Sequence, residues 1–153
     1  MSELLPSGPQ GPSLTDAVLA VSRLSRIVER ASDELSSADY RVMSAIAGGE
    51  ARASRLASRL LLGKPTISST VDSLSKRGLI VKSTVEGDNR AIELSLSDYG
   101  AELFALMEGR MVRQLELLAD RTPNPAQVIE SLGWLGVVIE ESMAAHAREG
   151  AAE

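Results

Sequence analysis

The sequence contains no cysteine and one histidine, His146. The first absence excludes disulfides, thiolate metal sites, iron–sulfur clusters and cysteine-based redox sensing. The second leaves no histidine network for a metal or for acid–base catalysis within one chain. Aromatic residues are nearly missing as well. Phe104, Trp134, Tyr40 and Tyr99 are all there are, so the core must rest on Leu, Val, Ile, Ala and Met. The longest nearly apolar run, Leu132 to Ile139, falls far short of the roughly 20 residues that cross a bilayer. Met1 to Ser13, with Pro6, Gly8, Pro9, Gly11 and Pro12, has neither the basic nor the apolar region of a secretory signal. It reads as a flexible tail on a cytoplasmic protein with no membrane partner. No nucleophile–base–orienter set stands out, and Gly63-Lys64 is no phosphate loop. The expectation is a protein that is not an enzyme and needs no cofactor or metal.

What is present is a globular composition in 153 residues, room for one domain and an oligomerisation extension but not for two full domains. The net charge of −5 argues at first against a nucleic-acid partner. Its distribution reverses that argument. Between Arg52 and Arg90 stand eight bases and three acids, while the remainder holds eight bases and eighteen acids. A basic middle between acidic flanks can form an electrostatic footprint on one face.

The periodicity predicts a helix over 14–35 with two adjoining apolar stripes, Leu14, Val18, Val21, Val28 and Ala17, Ala20, Leu24, Ile27, Ala31. One stripe suffices for a surface helix of a monomer, so two suggest packing on a partner chain as well. Ser13 or Thr15 can cap its start. Ser36 or Ser37 can cap the next helix, with Asp39 in its first turn and Gly48-Gly49 at its end. A short helix follows over about 54–61, with Leu56, Ala57 and Leu60 inward and Arg55 and Arg59 outward.

The stretch from Gly63 to Leu79 carries most information. Pro65 fits a first helical position, Ile67, Val71 and Leu74 form a narrow core stripe, and Gly78 stands where a left-handed residue ends a helix. Lys76 and Arg77 suit the negative end of the helix dipole. The opposite face presents Pro65, Ser69, Asp72, Ser73 and Lys76, flanked by Thr66 and Ser68. Small hydroxyl residues with bases at both ends let such a helix lie close against something.

Leu79-Ile80-Val81 starts a strand, Glu86 to Arg90 is a turn-rich tip, and Ala91 to Leu96 alternates with Ile92, Leu94 and Leu96 on one side. Ser97 caps a long helix to about Ala119, lined by Leu103, Phe104, Leu106, Met107, Met111, Leu115 and Leu118. After Thr122-Pro123-Asn124-Pro125, a last helix over about 126–146 again has a broad apolar arc, from Val128 to Met143. The fold class is mainly α with a small β-hairpin: a winged helix-turn-helix between N- and C-terminal dimerisation helices.

Several segments carry a family resemblance: Leu35-Ser36-Ser37-Ala38-Asp39-Tyr40-Arg41-Val42-Met43, Arg55-Leu56-Ala57, Lys64-Pro65-Thr66-Ile67-Ser68, Leu74-Ser75-Lys76-Arg77-Gly78-Leu79-Ile80, and Asp88-Asn89-Arg90 running on to Gly100. In order and spacing, from about Leu14 to Met143, they resemble the multiple-antibiotic-resistance regulator (MarR) family of bacterial transcription factors. The resemblance implies a homodimer with dimerisation regions at 14–35 and 98–146, a DNA-binding domain at 36–97, and loose tails at 1–13 and 147–153. It implies that the helix from Lys64 to Arg77 enters the major groove of double-stranded DNA and that the wing sets Arg90 at the minor groove of a palindromic site. Asp88 would hold the wing by an ion pair. Many members are repressors released from DNA by a small organic effector.

Under this reading Arg55, Lys64, Pro65, Thr66, Ser68, Ser69, Ser73, Lys76 and Arg90 are the DNA-contacting set. Arg55 and Arg59 stay balanced between phosphate contact and plain surface charge. Ser69 and Ser73 stand where many members carry Arg or another long polar residue, and Asn89 where Arg is common. Serine lacks the bidentate reach of arginine to guanine, so sequence readout should lean on shape and on the wing, or the operator should differ from those of better-known members. Asn89 removes one charge per subunit, and a modest, strongly salt-sensitive affinity is expected. Tyr40 is read as core rather than as the lining of an effector pocket, Trp134 as dimer packing rather than a ligand platform, and His146 as exposed. The alternative is a winged-helix protein–protein module without DNA binding.

Overall fold

Ser13 opens the first helix with a reciprocal cap: its hydroxyl accepts from the Asp16 amide at 3.2 Å while the Asp16 carboxylate accepts from the Ser13 amide at 3.0 Å. These bonds from Ser13 hold the Asp16 carboxyl below the usual carboxylate range. In a computed structural model, residues 11–50, 52–60, 62–85 and 88–149 are described, with backbone alone at 85, 88–91 and 147–149. The elements are α1 (Leu14–Ala31), α2 (Ser37–Ala47), α3 (Ala53–Leu60), α4 (Lys64–Lys76), β1 (Ile80–Val85), β2 (Asp88–Leu96), α5 (Asp98–Ala119) and α6 (Pro125–Glu149).

The first helix is shorter than its apolar pattern predicts. It stops at Ala31 because Ser32 leaves helical geometry and its buried hydroxyl donates to the Leu35 carbonyl at 3.2 Å. This local bond competes with the helix ladder. Leu35 then enters the core from a turn rather than from a helix. A second reciprocal cap, Ser36 with Asp39, starts α2. The last helix is longer than expected and runs past His146 to Glu149. Of the expected tails at 1–13 and 147–153, residues 1–10 and 150–153 lie outside the described residues, and 147–149 belong to the last helix.

Val42, Met43, Leu56, Leu74, Leu79 and Met107 are the most deeply buried side chains, joined by Ile67, Val71, Ile80, Leu94, Leu103 and Phe104. One core therefore ties α2, α3, α4 and the hairpin to the first half of α5. Gly49 and Gly78 take the positive φ that ends α2 and the turn after α4. At Ser97 the chain turns back: its amide donates to the Leu79 carbonyl at 3.1 Å and its hydroxyl to the Gly78 carbonyl at 2.6 Å.

The hairpin is antiparallel, pairing Ile80 with Leu96, Lys82 with Leu94 and Thr84 with Ile92. A single bridge from Arg52 to Glu93 adds the stub of a third strand. The pairing puts Ile80, Lys82, Leu94 and Ile92 on the face turned toward α4. Ile92 does not reach the core with Leu94; it stays exposed because the hairpin extends beyond the helices that cover its base. Leu106 likewise departs from the expected α5 lining and is exposed, whereas Leu103, Phe104 and Met107 are buried.

α1 packs along α5, and α6 packs against α5 and α3. None of the described side chains of α1 or α6 is fully buried in the single chain. Leu14, Val18, Val21, Trp134, Leu135, Val137, Val138 and Ile139 are all exposed. A groove of about 670 Å³ runs between α1, the end of α5 and the start of α6, floored by Ala20, Leu24, Leu118 and Leu132. No described helix is long and apolar enough to cross a membrane.

Candidate nucleic-acid interface

Gly63 precedes α4 and supplies no side-chain cap, so the amides of its first turn are left for an outside acceptor. Pro65 sits one position further into the first turn than expected, because Lys64 is already helical. Ile67, Thr70, Val71 and Leu74 are buried. With 100° per residue this fixes the outward face as Pro65, Ser69, Asp72, Ser73 and Lys76, flanked by Thr66 and Ser68, and all of these are exposed. The Ser69 hydroxyl donates to the Thr66 carbonyl at 3.0 Å, which leaves its lone pairs outward. Lys64 and Lys76 close the two ends of the stripe.

The wing stands beside this face. Lys82 of β1 reaches α4, its Nζ 2.5 Å from Asp72 Oδ1. The Lys82 hydrogen bond, then its charge, hold the Asp72 carboxyl below the usual range, and the charge of Lys76 adds to this. Behind the pair a cleft of about 460 Å³ separates α3, α4 and the hairpin, lined in part by Ala57, Ile67, Val71 and Ile92 with Lys64 and Ser68 at its rim. Arg55 and Arg59 are exposed on α3. Asp88 and Arg90 begin β2, but their side chains, like the tip at 86–87, lie outside the described residues.

Pro65, Thr66, Ser68, Ser69, Ser73 and Lys76, expected on or flanking the outward face of one helix, lie there, and Lys64 stands at its start. Sequence reasoning left Lys82 without a role. The alternation of Ile80, Lys82 and Thr84 carries the signal, since a lysine in phase with a core isoleucine must point toward α4. Arg77 does end the helix, as the sequence leads one to expect. From there it also folds back to Asp39 and the Glu34 carbonyl, pinning α4 on the start of α2.

Tyr40 is half-buried between α2 and α5. Its ring stacks on Phe104 with centroids 5.4 Å apart, and its hydroxyl donates to Glu108 Oε1 at 3.1 Å. Burial, then the Glu108 charge, push its pKa up to about 12. Trp134 and His146 are exposed. Among the described residues no cluster of three or more His, Asp or Glu could hold a metal ion.

Residues 33–91 match the family model described as MarR family. No curated protein matches the chain. Many solved structures share the fold. The PcaV transcriptional regulator from Streptomyces coelicolor, solved with its natural ligand, superposes at a TM-score of 0.65 with 19% identity, covering 92% of this chain and 99% of that one. The transcriptional repressor CouR, bound to a 23-mer DNA duplex, gives 0.71 with 20% identity over 83% of this chain and 92% of that one. MarR of E. coli in its apo form gives 0.67 with 14% identity over 85% and 98%.

Proposed function

We propose that this chain, whose residues 33–91 match the MarR family, is a sequence-specific DNA-binding transcriptional regulator acting as a homodimer in the cytoplasm. The single observation that carries the reading is the outward face of α4: the exposed hydroxyl side chains of Thr66, Ser68, Ser69 and Ser73 between Lys64 and Lys76, beside a hairpin. Such a helix can lie deep in a major groove, with its lysines on phosphate and its serines on phosphate or base edges. Arg55, Pro65, Thr66, Ser68, Ser69 and Ser73 complete the contact set on the helices. Arg90 is assigned to the minor groove and Asp88 to holding the wing.

In this reading residues 36–97 bind DNA, and 14–35 with 98–146 make the dimer. The unburied apolar surface of α1 and α6 supports the second assignment. A symmetric dimer reads a palindrome with half-sites about one turn apart. The protein acts as a repressor, as CouR is, and a small organic effector releases it; the ligand-bound structure of PcaV supports an effector.

Fluorescence anisotropy against the upstream intergenic DNA of its own gene, beside a scrambled duplex and at several salt concentrations, tests the reading. Tight binding to the first duplex alone, weakening steeply with salt and abolished by Arg90→Glu, is the expected result. Absence of binding to any duplex at low salt would replace it with a winged-helix protein–protein module.

A further inference from the structure

Asp72 is the one acid in α4, and it sits on the wing-facing shoulder of the outward stripe, between Ser68 and Lys76. On a surface that meets phosphates a carboxylate costs affinity unless it finds a donor. The donors that double-stranded DNA shows in the major groove are exocyclic amino groups. Adenine sets its N6 amino group beside the N7 acceptor, which repels a carboxylate, whereas cytosine shows its N4 amino group alone. An aspartate on a groove-facing helix therefore selects cytosine.

The geometry prepares it for that contact. Lys82 holds Oδ1 at 2.5 Å, and among the described residues no donor reaches Oδ2. Lys82 is itself fixed on the α4-facing side of the hairpin, opposite Leu94, so the carboxylate is oriented before any base arrives. Lys76 lies one helical turn further on, in reach of a guanine or a phosphate next to the same base step.

Resting on the DNA-binding reading above, we infer that Asp72 is a specificity-determining residue that accepts a hydrogen bond from a cytosine N4 amino group in the major groove, with Lys82 as its positioning residue. The α4 face has no arginine to read guanine, and Asp72 gives it discrimination from the other strand of a G·C pair.

The test is selection from a pool of 30-base-pair duplexes with a randomised core, using the full chain as wild type, Asp72→Ala, Asp72→Asn and Lys82→Met. Asp72 is 58% exposed, so the fold tolerates these changes, and circular dichroism melting checks it. The wild type should enrich a symmetric motif with cytosine at one position of each half-site. Asp72→Ala should flatten that position alone, losing roughly 5- to 100-fold of its preference. Asp72→Asn should turn the preference toward adenine, whose N6 and N7 an amide pairs together. Lys82→Met should weaken the cytosine preference with Asp72 intact. An unchanged motif in both Asp72 variants, with only a uniform shift in affinity, overturns this inference and leaves the DNA-binding reading standing. No enriched motif from the wild type overturns both.

Discussion

Arg77, at the end of α4, places Nη1 3.1 Å from Oδ2 of Asp39, in the first turn of α2. The same carboxylate oxygen accepts from the Ser36 amide at 3.0 Å, and the other arm of the guanidinium donates to the Glu34 carbonyl at 2.5 Å. Asp39 is largely buried, with 11% of its side chain exposed, so removing its partner strands a charge. Arg77→Ala should lower stability by about 2 kcal/mol in urea unfolding, in the range of hydrogen bonds to charged groups. Asp39→Ala also loses the cap and should cost more. Because both changes remove one shared contact, the double variant should fall short of the sum. Additive losses would show that the pair is not coupled.

Gly100 leaves no room for a side chain. A Cβ there would lie 1.8 Å from the Leu79 carbonyl oxygen, the acceptor of the Ser97 amide. Neither backbone can move without opening the joint between the hairpin and α5. Gly100→Ala should therefore destabilise the fold by about 3 kcal/mol or more, read as a lowered melting temperature. Gly109→Ala, with nothing within 4 Å of its Cβ, should instead be neutral or stabilising, because alanine favours the helix.

Tyr40 makes stability sensitive to alkali. Its folded pKa is about 12 against an ordinary 10, because burial and Glu108 both disfavour the phenolate. Between those values the unfolded chain loses the proton first, so stability is fully present below pH 10 and falls as pH rises through 12. Tyr40→Phe should flatten this part of the profile, measured by circular dichroism in urea from pH 9 to 12. Near neutral pH it should cost only about 1 kcal/mol, the value of one hydrogen bond.

How far the sequence discloses the fold depends on whether a feature is local. The helix start at Ser97, the glycine stop at Gly78 and the α4 stripe depend on neighbours a few residues away and can be read directly. The starts of α1 and α2 can be read to within two residues, the structure choosing Ser13 over Thr15 and Ser36 over Ser37. The end of α1 cannot, because the apolar pattern continues into Leu35 while a single hydroxyl bond at Ser32 breaks the helix. Leu106 and Ile92 fit their stripes, yet they are exposed because no described element of the single chain covers them. The links Lys82–Asp72 and Arg77–Asp39 join residues 10 and 38 positions apart. Charge spacing alone does not disclose them until the hairpin and α2 are placed.

Lys64 and Lys76 should act on DNA through charge rather than sequence. Each phosphate contact removed lowers the slope of log affinity against log salt by about 0.9. In a symmetric dimer, Lys64→Ala or Lys76→Ala should thus flatten it by about 1.8 and weaken binding to specific and scrambled duplexes alike. Ser69→Ala, which changes no charge, should leave the slope as it is. Anisotropy titrations at four salt concentrations separate the two kinds of residue, and an unchanged slope in Lys64→Ala would remove it from the contact set.

The terminal helices set the last expectation. Val18 is 68% exposed, Trp134 65% and Val138 58%, on helices that bury no described side chain fully within the chain. Covering such residues contributes about 1.5–3 kcal/mol each, and a water-facing arrangement of α1 and α6 forgoes it. A second copy can supply the cover, with the same surfaces meeting across a twofold axis. Sedimentation equilibrium should give twice the chain mass at micromolar concentration, and the melting temperature should rise with concentration, as mass action requires. Val138→Glu should shift the protein to monomer, lower its melting temperature and abolish that concentration dependence. DNA affinity should fall with it, because two half-sites are then read separately. A wild-type protein that remains monomeric at tens of micromolar would overturn the dimer, and with it the expectation of a palindromic site.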